Sequence, residues 1–331
     1  MKAKREVTLF FLNFFKKHKL WLFIGLSILS CSMTNYQKEG KVFYLKENYD
    51  KALDYFYKAL KKQEASDILL YNEIGNCYYQ KKEYTKALEN YSKSISQIND
   101  YVLKQDRRIL QPDVVFFNRG VCYSQINERL KAISDFEKAI LIHYKEPKYH
   151  LALGTEYLKI ENYDKAIEYL KNTLESEGKN HIACKNLGIA YYKKNDLYNS
   201  LEIWKKGVGL DTNDYEIMLY LGEANGKLGM TDEAIEWYEN YFKFSKDYEK
   251  HYIPYINLGY QYAKKENYDK AILNYKKSIS YNSKYHEAYF HLAVLYDKHK
   301  DKVNCIENMK KAAYYGNKEA QNYLNEINIK W

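Results

Sequence analysis

The stretch "GNCYYQKKEYTKALENYSKSI" at Gly75 returns as "GTEYLKIENYDKAIEYLKNTL" at Gly154 and as "GYQYAKKENYDKAILNYKKSI" at Gly259. Recurrence at a fixed period constrains a fold more than any local propensity, because every copy must take the same structure and bury its apolar face on its neighbours. With the glycine as a marker, equivalents stand at Gly40, Gly75, Gly120, Gly154, Gly188, Gly222 and Gly259, with Ala293 in an eighth copy. The steps are 35, 45, 34, 34, 34, 37 and 34 residues, so the unit is 34 residues and three connections carry insertions.

With the marker at position 8, position 20 is small (Ala52, Ala87, Ala132, Ala166, Ser200, Ala234, Ala271, Cys305). Position 24 is large (Phe56, Tyr91, Phe136, Leu170, Trp204, Tyr238, Tyr275, Met309), and position 11 is aromatic in every copy but the sixth, where Asn225 stands. Residues three and four apart share a helical face, so positions 4, 7, 8 and 11 predict one amphipathic helix and positions 20, 24 and 27 a second. Small residues let the two backbones approach, and the rings fill the space beside the crossing. The copies run 33–66, 68–101, 113–146, 147–180, 181–214, 215–248, 252–285 and 286–319, followed by a polar capping helix over 320–331.

The turn between the helices reads Glu47-Asn48-Tyr49-Asp50, Glu161-Asn162-Tyr163-Asp164 and Glu266-Asn267-Tyr268-Asp269. Its aspartate is the expected N-cap of the second helix, with Thr85 and Asp232 in the same role. Leu130 and Val303 stand at that place in two copies, whose second helices are expected to start raggedly. Pro112, Pro147 and Pro254 fall where first helices begin, the one end at which proline costs nothing. The insertion "NDYVLKQDRRILQP" before the third copy predicts a lengthened second helix that stops at Pro112.

This pattern of positions 4-7-8-11-20-24-27 on a 34-residue helix-turn-helix resembles the tetratricopeptide repeat, over nearly the whole chain after residue 32. The resemblance implies an all-α, right-handed α-solenoid of about eight repeats, whose first helices line a concave groove through positions 2, 5, 6, 9, 12 and 13. At position 6 stand Asn118, Asn186 and Asn257, with His291 in the eighth copy. Phe117, Leu151, Leu219, Ile256 and Phe290 stand at position 5, and Val121, Ile189 and Tyr260 at position 9. These are the expected partner-binding residues, for an extended or helical segment. The family's clamp for a terminal carboxylate is matched only in part, by Asn72, Asn76, Asn118 and Lys148, with Ala152 where an arginine belongs.

Residues 1–30 stand apart. A basic start, an apolar run from Leu20 to Leu29 and the end Ile28-Leu29-Ser30-Cys31 suit a secretory signal and are too short for a membrane span, which takes about 20 apolar residues. The last four residues resemble the bacterial lipobox, so residues 31–32 are the expected lipidated N-terminus, with palmitate on Cys31. Ser32 then permits transfer to the outer membrane, facing the periplasm, with display on the cell surface to host or environmental ligands as the alternative.

Those thirty residues carry +5 of the net charge of +9, leaving +4, and the lysines stand beside glutamates, so no nucleic-acid partner is expected. Most of the 38 tyrosines fall on repeat positions and read as packing. Cys77, Cys122, Cys184 and Cys305 occupy helix positions and read as buried thiols rather than a disulfide frame. "HEAYFH" spaces its histidines five apart, one too many for a zinc pair on a helix, and no carboxylate pair or nucleophile constellation stands out. The sequence therefore predicts no enzyme, no metal, no cofactor and no small-molecule substrate, but a membrane-anchored adaptor of the cell envelope with protein partners.

Overall fold

The computed structural model of the chain describes residues 35–63, 65–98, 111–246 and 251–331. Among these, every regular element is a helix. Contacts divide the chain into two compact units, 1–178 and 179–331, each described by itself. The first holds four hairpins: α1 (Asn35–Leu45) with α2 (Tyr49–Lys61), α3 (Asp67–Gln80) with α4 (Tyr84–Ser96), α5 (Pro112–Gln125) with α6 (Arg129–Ile142), and α7 (Pro147–Lys159) with α8 (Tyr163–Ser176). The second holds α9 (His181–Lys193) with α10 (Leu197–Leu210), α11 (Tyr215–Lys227) with α12 (Thr231–Phe244), α13 (Tyr252–Lys264) with α14 (Tyr268–Tyr281), α15 (His286–Lys298) with α16 (Lys302–Tyr314), and the closing α17 (Lys318–Glu326). This is the all-α, repeated helix-turn-helix packing that the period predicts. No composition shift marks the division, which falls in an ordinary turn between the fourth and fifth copies.

The marker glycines sit where two helices nearly touch. A Cβ on Gly75 would lie 2.6 Å from the Tyr91 ring, and one on Gly188 would drive into the Trp204 indole. The alanines at position 20 are fully buried, as are Phe56, Phe136, Trp204 and Tyr275 at position 24. Neighbouring hairpins are clasped by position 11: the Tyr157 hydroxyl donates to Glu137 at 2.8 Å, and Tyr262 donates to Glu239 at 2.6 Å. Lys165 and Lys270 in turn donate to those hydroxyls, at 3.2 and 3.5 Å.

Each hairpin turns on one left-handed residue at position 15: Glu47, Lys82, Asn127 and Glu161 in the first unit, and Asn195, Gly229, Glu266 and Lys300 in the second. The next N–H then reaches back to close the first helix, as from Asn162 to the Tyr157 carbonyl at 2.9 Å. That same residue opens the second helix. Asn48, Asn162 and Asn267 accept from the backbone N–H of Lys51, Lys165 and Lys270. The N-caps are thus two residues ahead of Asp50, Asp164 and Asp269, because the chain is already helical by position 18, where a carboxylate only complements the helix dipole. Thr85 and Asp232 are likewise inside the first turn, and Glu83 and Met230, at the cap position, make no side-chain cap bond. Val303 brings no ragged start either, since Asp301 caps α16 by accepting from Asn304 at 3.1 Å. Of the two second helices expected to start raggedly, α6, behind Glu128, is the one that begins without a side-chain cap bond.

Pro112 and Pro147 open their helices and Pro254 is the third residue of α13, still in the first turn. The second helix before Pro112 is not lengthened as expected: α4 ends at Ser96, closed at Gln97, and the insertion residues 99–110 lie outside the described residues, as do the signal segment and Cys31. α17 starts at Lys318, two residues before the expected boundary, capped by Asn317. It buries Ala320 and Leu324 on Cys305, Met309 and Ala313, closing the apolar end of the stack.

Candidate partner-binding face

Positions 2, 6, 9 and 13 of a first helix are spaced i, i+4, i+7 and i+11, so they line one face. In the second unit that face reads Ile182, Asn186, Ile189, Lys193 on α9 and Glu216, Tyr220, Glu223, Lys227 on α11. On α13 and α15 it reads Ile253, Asn257, Tyr260, Lys264 and Glu287, His291, Val294, Lys298. Ile253, Tyr260 and Val294 are 41%, 45% and 44% exposed. Asn186, Ile189, Leu219, Asn257, Phe290 and His291 are half-buried around them. Three exposed apolar side chains on two adjoining helices form a surface that water solvates poorly.

Position 6 does not simply point outward as expected. Asn257 is hydrogen-bonded to the Tyr238 hydroxyl, and the His291 ring stacks on Tyr275 at 5.4 Å. Position 6 therefore steadies the position-24 ring of the preceding repeat. Burial also holds the His291 imidazole below its ordinary value, against the opposing pull of Glu287.

In the first unit the corresponding side chains are spent on one another. The Asn118 amide donates to Asn72 at 3.0 Å and to Asn76 at 3.1 Å, and the Tyr91 hydroxyl donates to Asn76 at 2.8 Å. The asparagines of the partial clamp thus come together, but as a closed knot, while Lys148 lies over the Phe117 and Tyr149 rings. Gln37 and Lys41 hold Glu73, whose carboxyl burial raises above its usual range, and Ser124 and Lys159 hold Glu156.

Four expected groove residues are not on an open face at all. Phe117, Val121 and Leu151 in the first unit, and Ile256 in the second, are 3–5% exposed. The cause is the neighbour across the gap: first helices of successive repeats touch, and the Phe117 ring packs on Tyr149 at 5.0 Å and on Phe136 at 5.6 Å. Whether position 5 is lining or filling depends on what the next repeat places opposite it.

The acids on the second unit's face are also engaged. Glu216 pairs with Lys185, Glu223 accepts from Tyr192 at 3.3 Å, the Tyr285 hydroxyl donates to Glu287, and Asp297 pairs with Lys302 at 2.5 Å. Burial pushes the Glu223 carboxyl up, with Tyr192 and Lys227 opposing. The sequence reading missed the cations. Lys193, Lys227, Lys264 and Lys298 are exposed and each ends its first helix. Lysine at position 13 in consecutive copies was the available signal.

The four cysteines among the described residues are buried free thiols, and burial pushes Cys77 and Cys122 up to about 12. Among the described residues no group of three or more His, Cys, Asp or Glu side chains could hold a metal, and no helix is long and apolar enough to cross a membrane.

A family model described as tetratricopeptide repeat matches residues 38–100 and 151–204, and a second of the same description matches 254–285. A BBSome complex member of Bos taurus is 26% identical over 145 residues, 44% of this chain and 27% of its own length. A TPR repeat-containing protein of Methanocaldococcus jannaschii is 23% identical over 261 residues, 74% of this chain and 45% of its own length. The chain thus spans less than half of either relative. Among solved structures, the C-terminal part of a TPR repeat-containing protein from Cytophaga hutchinsonii superposes with a TM-score of 0.62 at 19% identity, covering 76% of this chain and 97% of that one. YrrB, described as a TPR protein with an unusual peptide-binding site, gives 0.52 at 23% identity over 61% of this chain and 96% of its own. A tetratricopeptide repeat protein from Parabacteroides merdae gives 0.52 at 18% identity over 84% and 99%. At these identities the likeness speaks for the fold.

Proposed function

We propose, for a chain that carries tetratricopeptide repeats, that it is a membrane-anchored adaptor of the bacterial cell envelope whose second unit holds a segment of a partner protein. Repeats of this kind generally serve as scaffolds for protein interaction rather than as catalysts. The observation that carries the reading is the exposed apolar face of α13 and α15, with Ile253, Tyr260 and Val294 each about two-fifths exposed or more. Half-buried Asn186, Ile189, Leu219, Asn257, Phe290 and His291 form its floor. An apolar guest on such a surface gains roughly 25 cal/mol for each Å² removed from water, and well-packed aromatic anchors concentrate that gain.

The anchor is supported by Ile28-Leu29-Ser30-Cys31 at the end of an apolar run. Cleavage before Cys31 and lipidation of its sulfur and new amino group give the multiple chains that stable attachment requires. The periplasmic face of the outer membrane is the location Ser32 favours.

Two measurements test the two halves. Affinity capture from solubilised membranes, compared between wild type and Tyr260→Asp with Val294→Asp, should lose its specific partners in the variant; an unchanged set of partners rejects this face. Labelling with a palmitate analogue should mark wild type and not Cys31→Ala, and label retained by the variant rejects the lipoprotein reading. Partners degraded by protease added to intact cells together with this protein would place it outside.

A further inference from the structure

The second unit's face has an exposed, positively charged edge. Lys193, Lys227, Lys264 and Lys298 close α9, α11, α13 and α15, one per repeat and all exposed. A cation at a helix C-terminus is favoured by the dipole. That cause alone does not select them, since all four first helices carry a lysine in the last turn, whereas of the second helices only α12 and α16 do. Nor are they held by carboxylates in the way Lys185, Lys302 and Lys311 are. Three of them rest on rings instead: Lys227 lies 4.3 Å from the Tyr192 centroid, Lys264 5.0 Å from Tyr260 and Lys298 4.8 Å from Tyr268. The first unit shows the alternative, because Lys159 at the same position is mostly covered and tied to Glu156.

Beside this edge lie the exposed Tyr260 and Val294, and the polar groups between them are engaged: Asn257 with Tyr238, His291 with Tyr275, Glu223 with Tyr192. An extended peptide brings backbone N–H and C=O groups that need partners here and would leave some of them buried and unpaired. A helix satisfies its own backbone and asks only for side-chain contacts.

The geometry points to an acidic amphipathic α-helix of a partner protein as the guest, with its apolar stripe on Ile189, Tyr260, Phe290 and Val294 and its carboxylates along the four lysines. This inference rests on the adaptor reading and specifies the segment. Successive first helices α11, α13 and α15 touch, so their axes lie about 8–10 Å apart. At about 1.5 Å per residue that is about five to seven residues of guest helix. Of these, seven returns to the same helical face. The guest therefore carries Asp or Glu at a spacing of seven, two to four times, beside an apolar stripe of period 3.6.

A phage-displayed library of random 24-residue peptides, selected on the purified chain, tests it. The expected result is enrichment of sequences with acids seven apart and no proline between them. The best synthetic peptide should become helical on binding by circular dichroism. It should bind at least tenfold more weakly to Lys227→Glu with Lys264→Glu, and recover affinity when its acids are exchanged for lysines on that variant. The variant's far-ultraviolet spectrum should match wild type, and Lys264→Glu alone, which leaves the attraction between Lys227 and Glu223 in place, separates lost binding from lost stability. Enrichment of extended, proline-bearing, neutral or basic peptides that still lose binding in Tyr260→Asp overturns the acidic helix and leaves the adaptor. If neither the charge reversal nor Tyr260→Asp alters binding, both readings fall.

Discussion

The two units are built from the same repeat and both bond first helices to one another, yet among the described residues only the second leaves large apolar side chains of that face exposed. In the first, side chains on the first helices bond across repeats: Asn118 to Asn72 and Asn76, Gln37 and Lys41 to Glu73, Ser124 to Glu156. In the second, Ile253, Tyr260 and Val294 remain exposed and four lysines stand along one edge. A polar group turned onto its neighbour stiffens the stack and leaves little to offer a guest, whereas an apolar group left in water is unsatisfied until something covers it. On the proposed reading the first unit is a framework and the second the recognition surface, although nothing in the repeat consensus separates them.

The strongest way to break this contrast is to attack a buried charge of the framework. Arg119 donates to both oxygens of Asp135 at 2.7 and 2.8 Å, with the carboxylate almost wholly covered. Asp135→Ala should cost about 3–5 kcal/mol in denaturant unfolding, because it strands the guanidinium, while Arg119→Met with Asp135→Leu should recover most of that loss. A single mutant within about 0.5 kcal/mol of wild type would mean the first unit does not depend on its internal polar pairs.

A step smaller, Asn118→Ala removes a donor from two amides and should cost about 1–3 kcal/mol by the same measurement. Asn257→Ala, which loses the single Tyr238 bond, should cost about 1 kcal/mol and so is not free either. Equal costs at the two sites would erase the distinction between knot and open face.

Smaller again is a pH effect confined to the second unit. Burial lowers the His291 pKa from 6.5, so the unfolded chain binds a proton that the folded one refuses. Stability should therefore fall as pH drops through 6.5 toward the folded value and level off below it. His291→Gln should flatten that limb of the melting-temperature profile, and a profile unchanged by the substitution would remove His291 from the unit's packing. The smallest expected effect on folding is at Tyr260→Ala, within about 0.5 kcal/mol, paired with a large fall in partner capture. A cost above about 2 kcal/mol would make Tyr260 a packing residue.

Much of this was legible in the sequence and some of it was not, for identifiable reasons. The period of 34 predicts the helix pairs, and the small residues at positions 8 and 20 are where the Gly75–Tyr91 and Gly188–Trp204 contacts require them. The caps were misplaced because Asn48 and Asp50 are both competent acceptors. Their choice is made by the phase of the left-handed residue ahead of them, a backbone property with no fixed residue type. The face was only half legible. Tyr260 is open as expected, whereas Phe117, Val121, Leu151 and Ile256 are closed. Exposure at those positions is decided by the side chain across the gap, as Tyr149 decides it for Phe117. The lysine edge was written plainly at position 13 and was obscured by the abundance of lysine everywhere else.

The left-handed turns have a consequence of another kind. Glu47, Lys82, Glu161, Glu266 and Lys300 hold a left-handed backbone conformation, which costs an ordinary residue about 1–2 kcal/mol and which glycine or asparagine adopts with less strain. These sites are far apart in the chain and identical in role, so their contributions should add. A lineage can thus raise or lower the melting point of the array in small, nearly equal increments at the hairpin tips. None of those changes touches a residue of the proposed recognition face, so adaptation to temperature and adaptation to a new partner can proceed as separate histories within one chain.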